Sequence, residues 1–319
     1  MEIRRDLTSA GPPGSGTALT IGAYDGVHLG HRQVITEVCR LAAENGLVSA
    51  VVTFDRHPAT VVRPESAPLL LTDLDQKLEQ LATTGVDLTQ VVTFDAARAA
   101  EGAEAFVAEV LVEGLGARAV VVGEDFHFGR QRQGNVDLLR RMGVGLDFDV
   151  HALGLVGPGG APARDHEQVS STFIRRALAA GELDWANGML GRPYEVRGTV
   201  EHGDGRGRDF GFPMANVGVD PSILLPADGV YACYYERPDA GVYPAAVSIG
   251  NRSHVSDEGA LLLEAHLSGL ELDVEPDLHG EAARVRFVRF LRSQRSFDAP
   301  GDLVAQVRSD LEATRAILA

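Results

Sequence analysis

The sequence predicts an α/β protein in two parts: a doubly wound parallel sheet, then a small antiparallel β-barrel with a terminal helix. Three observations predict it. Over residues 18–178, five short apolar runs alternate with stretches whose apolar residues recur at helical spacing. From Tyr194 onward the apolar period drops to two, with turns between short strands. Between them, residues 181–191 (Gly-Glu-Leu-Asp-Trp-Ala-Asn-Gly-Met-Leu-Gly) close a helix and break the pattern. The domains are therefore expected at 1–186 and 187–319.

Taken in order, residues 1–17 are polar and rich in Gly, Pro and Ser, and read as an arm. The first strand is expected at 18–21. The first helix follows at 31–45, where Val34, Ile35, Val38, Leu41 and Ala42 mark one face. Strands are expected at 48–54, 86–92, 119–122 and 147–152. Helices are expected at 69–84, at 103–115 with Phe106, Val110 and Leu111 inward, and near 169–178. In the second part strands are expected at 194–202, 229–235, 242–249, 260–267 and 282–291, and a last helix at 302–318.

Composition narrows the function. At 319 residues the chain can build two cores, and 45% hydrophobic content marks a globular protein. No apolar run approaches the roughly 18 residues of a membrane span, and the N-terminus carries no leader pattern. Cys39 and Cys233 are the only cysteines, without metal spacing or a disulfide framework, which suits the cytoplasm. A net charge of −16 argues against nucleic acid as a partner. Lys77 is the only lysine, so cations for phosphate must come from Arg, His or backbone. Homo-oligomerisation stays open.

Candidate chemistry gathers at the ends of the early strands. Thr20-Ile-Gly22-Ala-Tyr24-Asp25-Gly-Val-His28-Leu-Gly30-His31 joins a strand to a helix through a glycine turn. Such a turn presents unpaired N–H groups and a positive helix end to an anion, and two imidazoles join them. The bland alternative is a tight turn with incidental histidines. Phe54, Asp55 and His57 end the second strand, where open α/β sheets bind ligands. Gly123-Glu-Asp125-Phe126-His-Phe128-Gly sets two aromatic rings on one face of an extended turn, suited to a flat ring system or to the core. Ser170, Ser171 and Thr172 read as a helix start with Arg175 one turn in: a second phosphate site, or simply a cap. In the second part, Gly203-Asp-Gly205-Arg-Gly207-Arg208 is a glycine-rich loop suited to phosphate.

The His28-Leu-Gly30-His31 element resembles the signature of the nucleotidylyltransferase superfamily. The whole stretch 22–31 is similar to the bacterial bifunctional riboflavin kinase/FAD synthetase family, as are the 53–58 and 123–129 loops, Ser170-Ser-Thr-Phe-Ile-Arg175 and the glycine-rich loop. The resemblance covers nearly the whole chain. It implies a Rossmann-like adenylyltransferase domain and a kinase-like barrel. It also implies Mg²⁺-dependent transfer of AMP from ATP to FMN, giving FAD and pyrophosphate. Catalysis there is positioning and charge stabilisation, with His28, His31 and Arg175 catalytic. Gly22, Tyr24, Asp25, Gly30, Ser170, Ser171 and Thr172 would line the ATP phosphates. Phe54, Asp55, His57, Asp125, Phe126 and Phe128 would bind flavin. In the kinase-like site, Glu264 aligns with the general base, and Gly205, Gly207, Arg208, Met214 and Asn216 surround the nucleotide, with Asn216 on Mg²⁺.

The second part departs from the family at several points. The usual Pro-Thr-Ala-Asn is Pro213-Met214-Ala-Asn216, and a thioether suits a hard cation poorly. Asn251-Arg-Ser-His-Val255 replaces Asn-Pro-Thr-Phe, Ser268-Gly269 replaces Asp-Phe, His279 stands for Tyr, and Gln294 for Glu. The expectation is an FAD synthetase whose kinase activity is weak or lost. The alternatives are a fully bifunctional enzyme, a member with altered nucleotide or flavin substrate, and a flavin-binding regulator without turnover.

Overall fold

The computed structural model describes residues 1–5, 11–154, 157, 168–201, 214–238, 241–250, 261–269, 278–297 and 299–319. The chain divides into two compact units, Met1–Ser171 and Thr172–Ala319.

The first unit contains a parallel sheet of β1 (Glu2–Arg4), β2 (Thr17–Ile21), β3 (Val48–Phe54), β4 (Leu88–Val92), β5 (Ala117–Gly123) and β8 (Asp149–Leu153), with β6 (His127–Phe128) and β7 (Gly134–Asn135) a separate hairpin. The sheet order is β1-β4-β3-β2-β5-β8. The sheet has six strands where the sequence suggested five, because the polar arm hides β1. Glu2 to Arg4 pair with Leu88 to Gln90 as a short edge strand, which needs no apolar run to form. β2 is buried throughout, and its residues alternate between two cores. Leu19 and Ile21 face a cluster with Phe106, Val110 and Leu111; Ala18 faces Val38 and Leu41 of α1 (Leu29–Asn45). Helices on both sheet faces make the fold doubly wound. The chain leaves β2 to one side through β3 and β4, and to the other through β5 and β8. The carboxyl ends of β2 and β5 therefore flank the switch point where such sheets bind ligands.

Several helix bounds differ from expectation for local reasons. The helix expected at 69–84 is α3 (Leu74–Ala82), following the short α2 (Pro58–Val62). Asp73 and Gln76 form a reciprocal capping box that starts α3, which leaves residues 69–72 as a loop. After α4 (Ala96–Ala100), the helix expected at 103–115 is α5 (Ala103–Phe106) continuing in wider π-type turns over Val107–Gly114. A helix not foreseen, α6 (Val136–Leu146), starts on the Asn135 cap; its two glycines obscured it.

The second unit begins with α7 (Ser171–Ala179) from its second residue, then α8 (Leu183–Leu190). β9 (Tyr194–Glu201), β10 (Met214–Val219), β11 (Gly229–Arg237), β12 (Gly241–Ile249), β13 (Leu261–Leu267) and β14 (Ala282–Arg292) form a closed antiparallel barrel, order β10-β13-β12-β11-β14-β9. Here too one strand was missed: β10 follows a Gly/Pro-rich run, and its buried Ala215, Val217 and Val219 alternate with half-buried Met214, Asn216 and Gly218. Tyr194, Tyr231, Tyr235 and Phe287 fill the interior. The last helix, α9 (Pro300–Leu318), lays Val307 and Leu311 on Val230 and Ala246, and Asp310 pairs with Arg292 at 2.7 Å.

Candidate active site

The 22–31 turn is fixed by its own side chains. His28 caps α1: its Nδ1 accepts the His31 N–H at 3.3 Å. With that lone pair engaged, a neutral imidazole carries its proton on Nε2, which becomes a donor. The His31 ring stacks on His28, centroids 3.6 Å apart and 17° from parallel, and Tyr24 tilts against it at 4.8 Å. His31 Nδ1 is buried and has no hydrogen-bond partner among the described residues. Burial, then the positive potential of His28 and Lys77, holds the His31 pKa well below its ordinary value. His31 is thus neutral near pH 7, and its orphaned ring nitrogen lies in the first turn of α1.

The folded state resists protonating His31 while the unfolded chain takes up the proton near pH 6.5, so stability falls as pH drops below that value. Urea midpoints for wild type and His31→Asn, at about pH 7.5 and about pH 5.5, check this. Wild type is expected to lose more stability on acidification than the variant.

Gly30 allows a close approach. A Cβ there would meet the His28 ring and the Val169 carbonyl oxygen, each at 3.3 Å. That close approach brings the 169–171 segment against the turn. Ser171 then donates Oγ to the Asp25 carbonyl at 2.8 Å, so the first residue of α7 is tied to the approach to α1. Thr172 and Arg175 follow on α7, in the second unit, and Ser170 immediately precedes it.

Asp25 does its work from behind the turn. Its carboxylate accepts the Leu71 N–H at 3.0 Å and the Thr72 N–H at 3.1 Å, while Gly26 N–H donates to Thr72 Oγ1 at 3.1 Å. Asp25→Ala would strand buried donors and is expected to cost about 1–3 kcal/mol per group left unsatisfied. A denaturation midpoint measures it. Tyr24 is likewise committed: its OH donates to Thr20 Oγ1 at 2.8 Å, its φ is +52°, and its ring packs over Gly22. The family resemblance implies that Gly22, Tyr24 and Asp25 line the ATP phosphates; in the structure the Tyr24 and Asp25 side chains also hold the shape of the turn.

An aromatic wall stands beside it. Phe126 and Phe128 stack at 5.4 Å, Phe128 leans on Phe106 at 6.1 Å, and Phe54 meets Phe94 edge-on at 5.1 Å. Phe54, Phe126 and Phe128 are partly buried and pack against the core. Phe94 was missed, although the sequence signals it. Val-Val-Thr-Phe-Asp occurs at 51–55 and again at 91–95, on adjacent parallel strands. Burial raises the Asp55 pKa, but the Phe94 N–H at 2.8 Å and Arg56 outweigh it and hold the carboxyl below its usual range. His57 caps α2 through the Ala59 N–H at 3.1 Å. Asp125 is exposed at the tip between Gly123 and Phe126.

In the second unit, Asn216 on β10 lies directly across from Glu264 on β13 and, on its other side, from Glu201 on β9. Glu264 in turn faces Ser248 on β12. Ala215, Val217, Leu263 and Ala265 point into the barrel, so Asn216 and Glu264 share its outer face. Met214 is on that face, across from His266. Gly205, Gly207 and Arg208 lie outside the described residues, as do 251–255.

Family models divide the chain in the same order: FAD synthetase matches residues 12–173 and riboflavin kinase residues 190–318. A curated "Bifunctional riboflavin kinase/FMN adenylyltransferase" of Listeria monocytogenes is 37% identical, covering 94% of this chain and 92% of that protein. One of the same name from Pseudomonas fluorescens is 35% identical, covering 100% and 98%. The chain belongs to the bifunctional riboflavin kinase/FMN adenylyltransferase family. In fold it is similar to the crystal structure of a macrolide-efflux protein from Streptococcus pneumoniae, with TM-score 0.80, 26% identity and 98% of both chains covered.

Membership of the bifunctional family bears on the expected loss of kinase activity. The riboflavin kinase model spans the barrel despite Met214, Ser268 and Gln294, and the barrel keeps Asn216 opposite Glu264. Gln294 is itself built in, donating Nε2 to Ser248 Oγ at 2.7 Å and to the Ile249 carbonyl at 3.0 Å. The expected weak or lost kinase activity is not shown by these findings, and the fully bifunctional alternative fits them better. Among the described residues no helix is long and apolar enough to cross a membrane.

Proposed function

We propose that the chain is fully bifunctional. It phosphorylates riboflavin to FMN in residues 187–319 and transfers AMP from ATP to FMN in residues 1–186, acting in the cytoplasm on small molecules alone. The observation that supports adenylyl transfer is the stacked His28–His31 pair at the start of α1, and the one that supports the kinase step is Asn216 directly across from Glu264 in the barrel.

In adenylyl transfer, an FMN phosphate oxygen attacks the α-phosphorus of ATP in line. The new P–O bond forms as the bond to pyrophosphate breaks, and pyrophosphate departs with the electron pair. No side-chain base is required, because the FMN phosphate is already an anion near neutral pH. His28 Nε2–H donates to the polyphosphate, and His31 shares that task. The backbone N–H groups opening α1, with Ser170, Ser171, Thr172 and Arg175, hold the charge that grows on pyrophosphate. Phe54, Phe126 and Phe128 stack on the isoalloxazine while Asp55, His57 and Asp125 orient its polar edge. In the kinase step Glu264 takes the proton from the riboflavin 5′-hydroxyl as it attacks the γ-phosphorus, and ADP leaves. Gly205, Gly207 and Arg208 wrap the phosphates.

Mg²⁺ fits the donor set in part: Asn216 and Glu264 offer oxygen on one barrel face, whereas the Met214 thioether does not. Bound with ATP, the ion neutralises phosphate charge, and Asn216 is the residue that would hold it.

Incubation with FMN, ATP and Mg²⁺ tests adenylyl transfer by release of pyrophosphate and FAD. A flavin-binding regulator would take up FMN and release neither.

A further inference from the structure

Lys77 is the only lysine in the chain, yet it is buried to 6% exposure. It sits in the first turn of α3, the helix whose capping box follows directly on the Leu71–Thr72 clamp around Asp25. Its Nζ donates to the Phe54 carbonyl at 2.7 Å and to the Ala23 carbonyl at 3.3 Å. Thr53 Oγ1 donates to the same Ala23 oxygen at 3.2 Å. Those carbonyls stand at the carboxyl ends of β3 and β2. One leads into the His28–His31 turn and the other into the Asp55–His57 loop.

An ammonium is an expensive group to bury, and exposed positions for lysine abound on this chain. Burial draws the Lys77 pKa down to about 8, while Asp25 and Asp55 favour its charge. The charged and titratable groups around it are thus Asp25 and Asp55, and His31 with His28 stacked on it.

We propose that Lys77 is a positioning residue for adenylyl transfer: its ammonium locks the two site loops together by their backbone carbonyls and holds its positive charge at the Ala23 carbonyl, at the root of the turn that carries the imidazole pair. The role in turnover rests on the adenylyl-transfer reading; the lock and the charge do not. A loop displaced by about an ångström costs on the order of a hundredfold in a reaction that depends on alignment.

Three variants test it: Lys77→Met removes charge and donors, Lys77→Gln keeps a donor without charge, and Leu78→Ala damages the neighbouring buried position without touching either carbonyl. Hydrogen exchange is expected to rise selectively in residues 23–31 and 54–57 of Lys77→Met, but not in the same pattern in Leu78→Ala. By NMR of ¹³C-labelled histidine, the His31 titration midpoint is expected to move up in both Lys77 variants, since a nearby positive charge has gone, and to stay in Leu78→Ala. In turnover, Lys77→Met is expected to lower kcat for FAD formation at least about tenfold with little change in the KM for FMN. Unchanged exchange in both loops together with an unmoved His31 midpoint would overturn the proposal. If Lys77→Met does not fold, the titration in Lys77→Gln decides alone. A wild-type protein that forms no FAD would refute the adenylyl-transfer reading, and the exchange and titration results would still decide the lock and the charge.

Discussion

Replacing His28 with alanine is expected to cut FAD formation from FMN by about a hundredfold to a thousandfold, the usual loss for one donor aimed at developing phosphate charge. FMN formation from riboflavin should be untouched, because the riboflavin kinase family model matches residues 190–318 and not the His28 turn. The variant also loses a helix cap, the Nδ1 acceptor of the His31 N–H. Such a loss costs about 1 kcal/mol, too little to unfold the unit. His28→Asn separates the two effects, since an amide oxygen can cap α1 but lacks the imidazole Nε2–H. The expected pattern is a melting temperature near wild type in His28→Asn with FAD formation as poor as in His28→Ala. Chromatography of flavin products and a thermal melt are sufficient.

Glu264→Gln is expected to show the reverse selectivity. Losing a general base lowers turnover by about 10² to 10⁴, so FMN formation from riboflavin should nearly vanish while FMN is adenylylated at the wild-type rate. Gln keeps the size and most of the hydrogen bonding of Glu, and position 264 faces the outer side of the barrel. Stability should therefore hold. Riboflavin and FMN supplied as separate substrates, with flavin products followed by chromatography, give both rates.

Much of this was legible beforehand because the relevant signals are local. The His-Leu-Gly-His spacing, the helical run behind it and the switch to a two-residue period gave the two-part fold. The edge strand Glu2–Arg4 was not legible because it forms through its partner, and Met214–Val219 because its alternation is only six residues long and its buried side chains are small. The work done by Asp25 was hidden for a related reason. Its oxygens are taken by Leu71 and Thr72, 46 and 47 residues away in sequence, and no spacing rule reaches that far. Lys77 was visible as a lone lysine, but its two carbonyl partners exist only once β2 and β3 lie side by side. Judging the barrel from Met214 and its neighbours gave too much weight to substitutions and too little to the surviving Asn216–Glu264 pairing.

One labelling experiment tests both activities at once: riboflavin as the sole flavin, Mg²⁺, and ATP carrying label at either the α- or the γ-phosphorus. Two working sites would place γ-label in FMN and in FAD, but α-label in FAD alone. Labelled FMN without labelled FAD, or no labelled flavin from either ATP, would contradict the account.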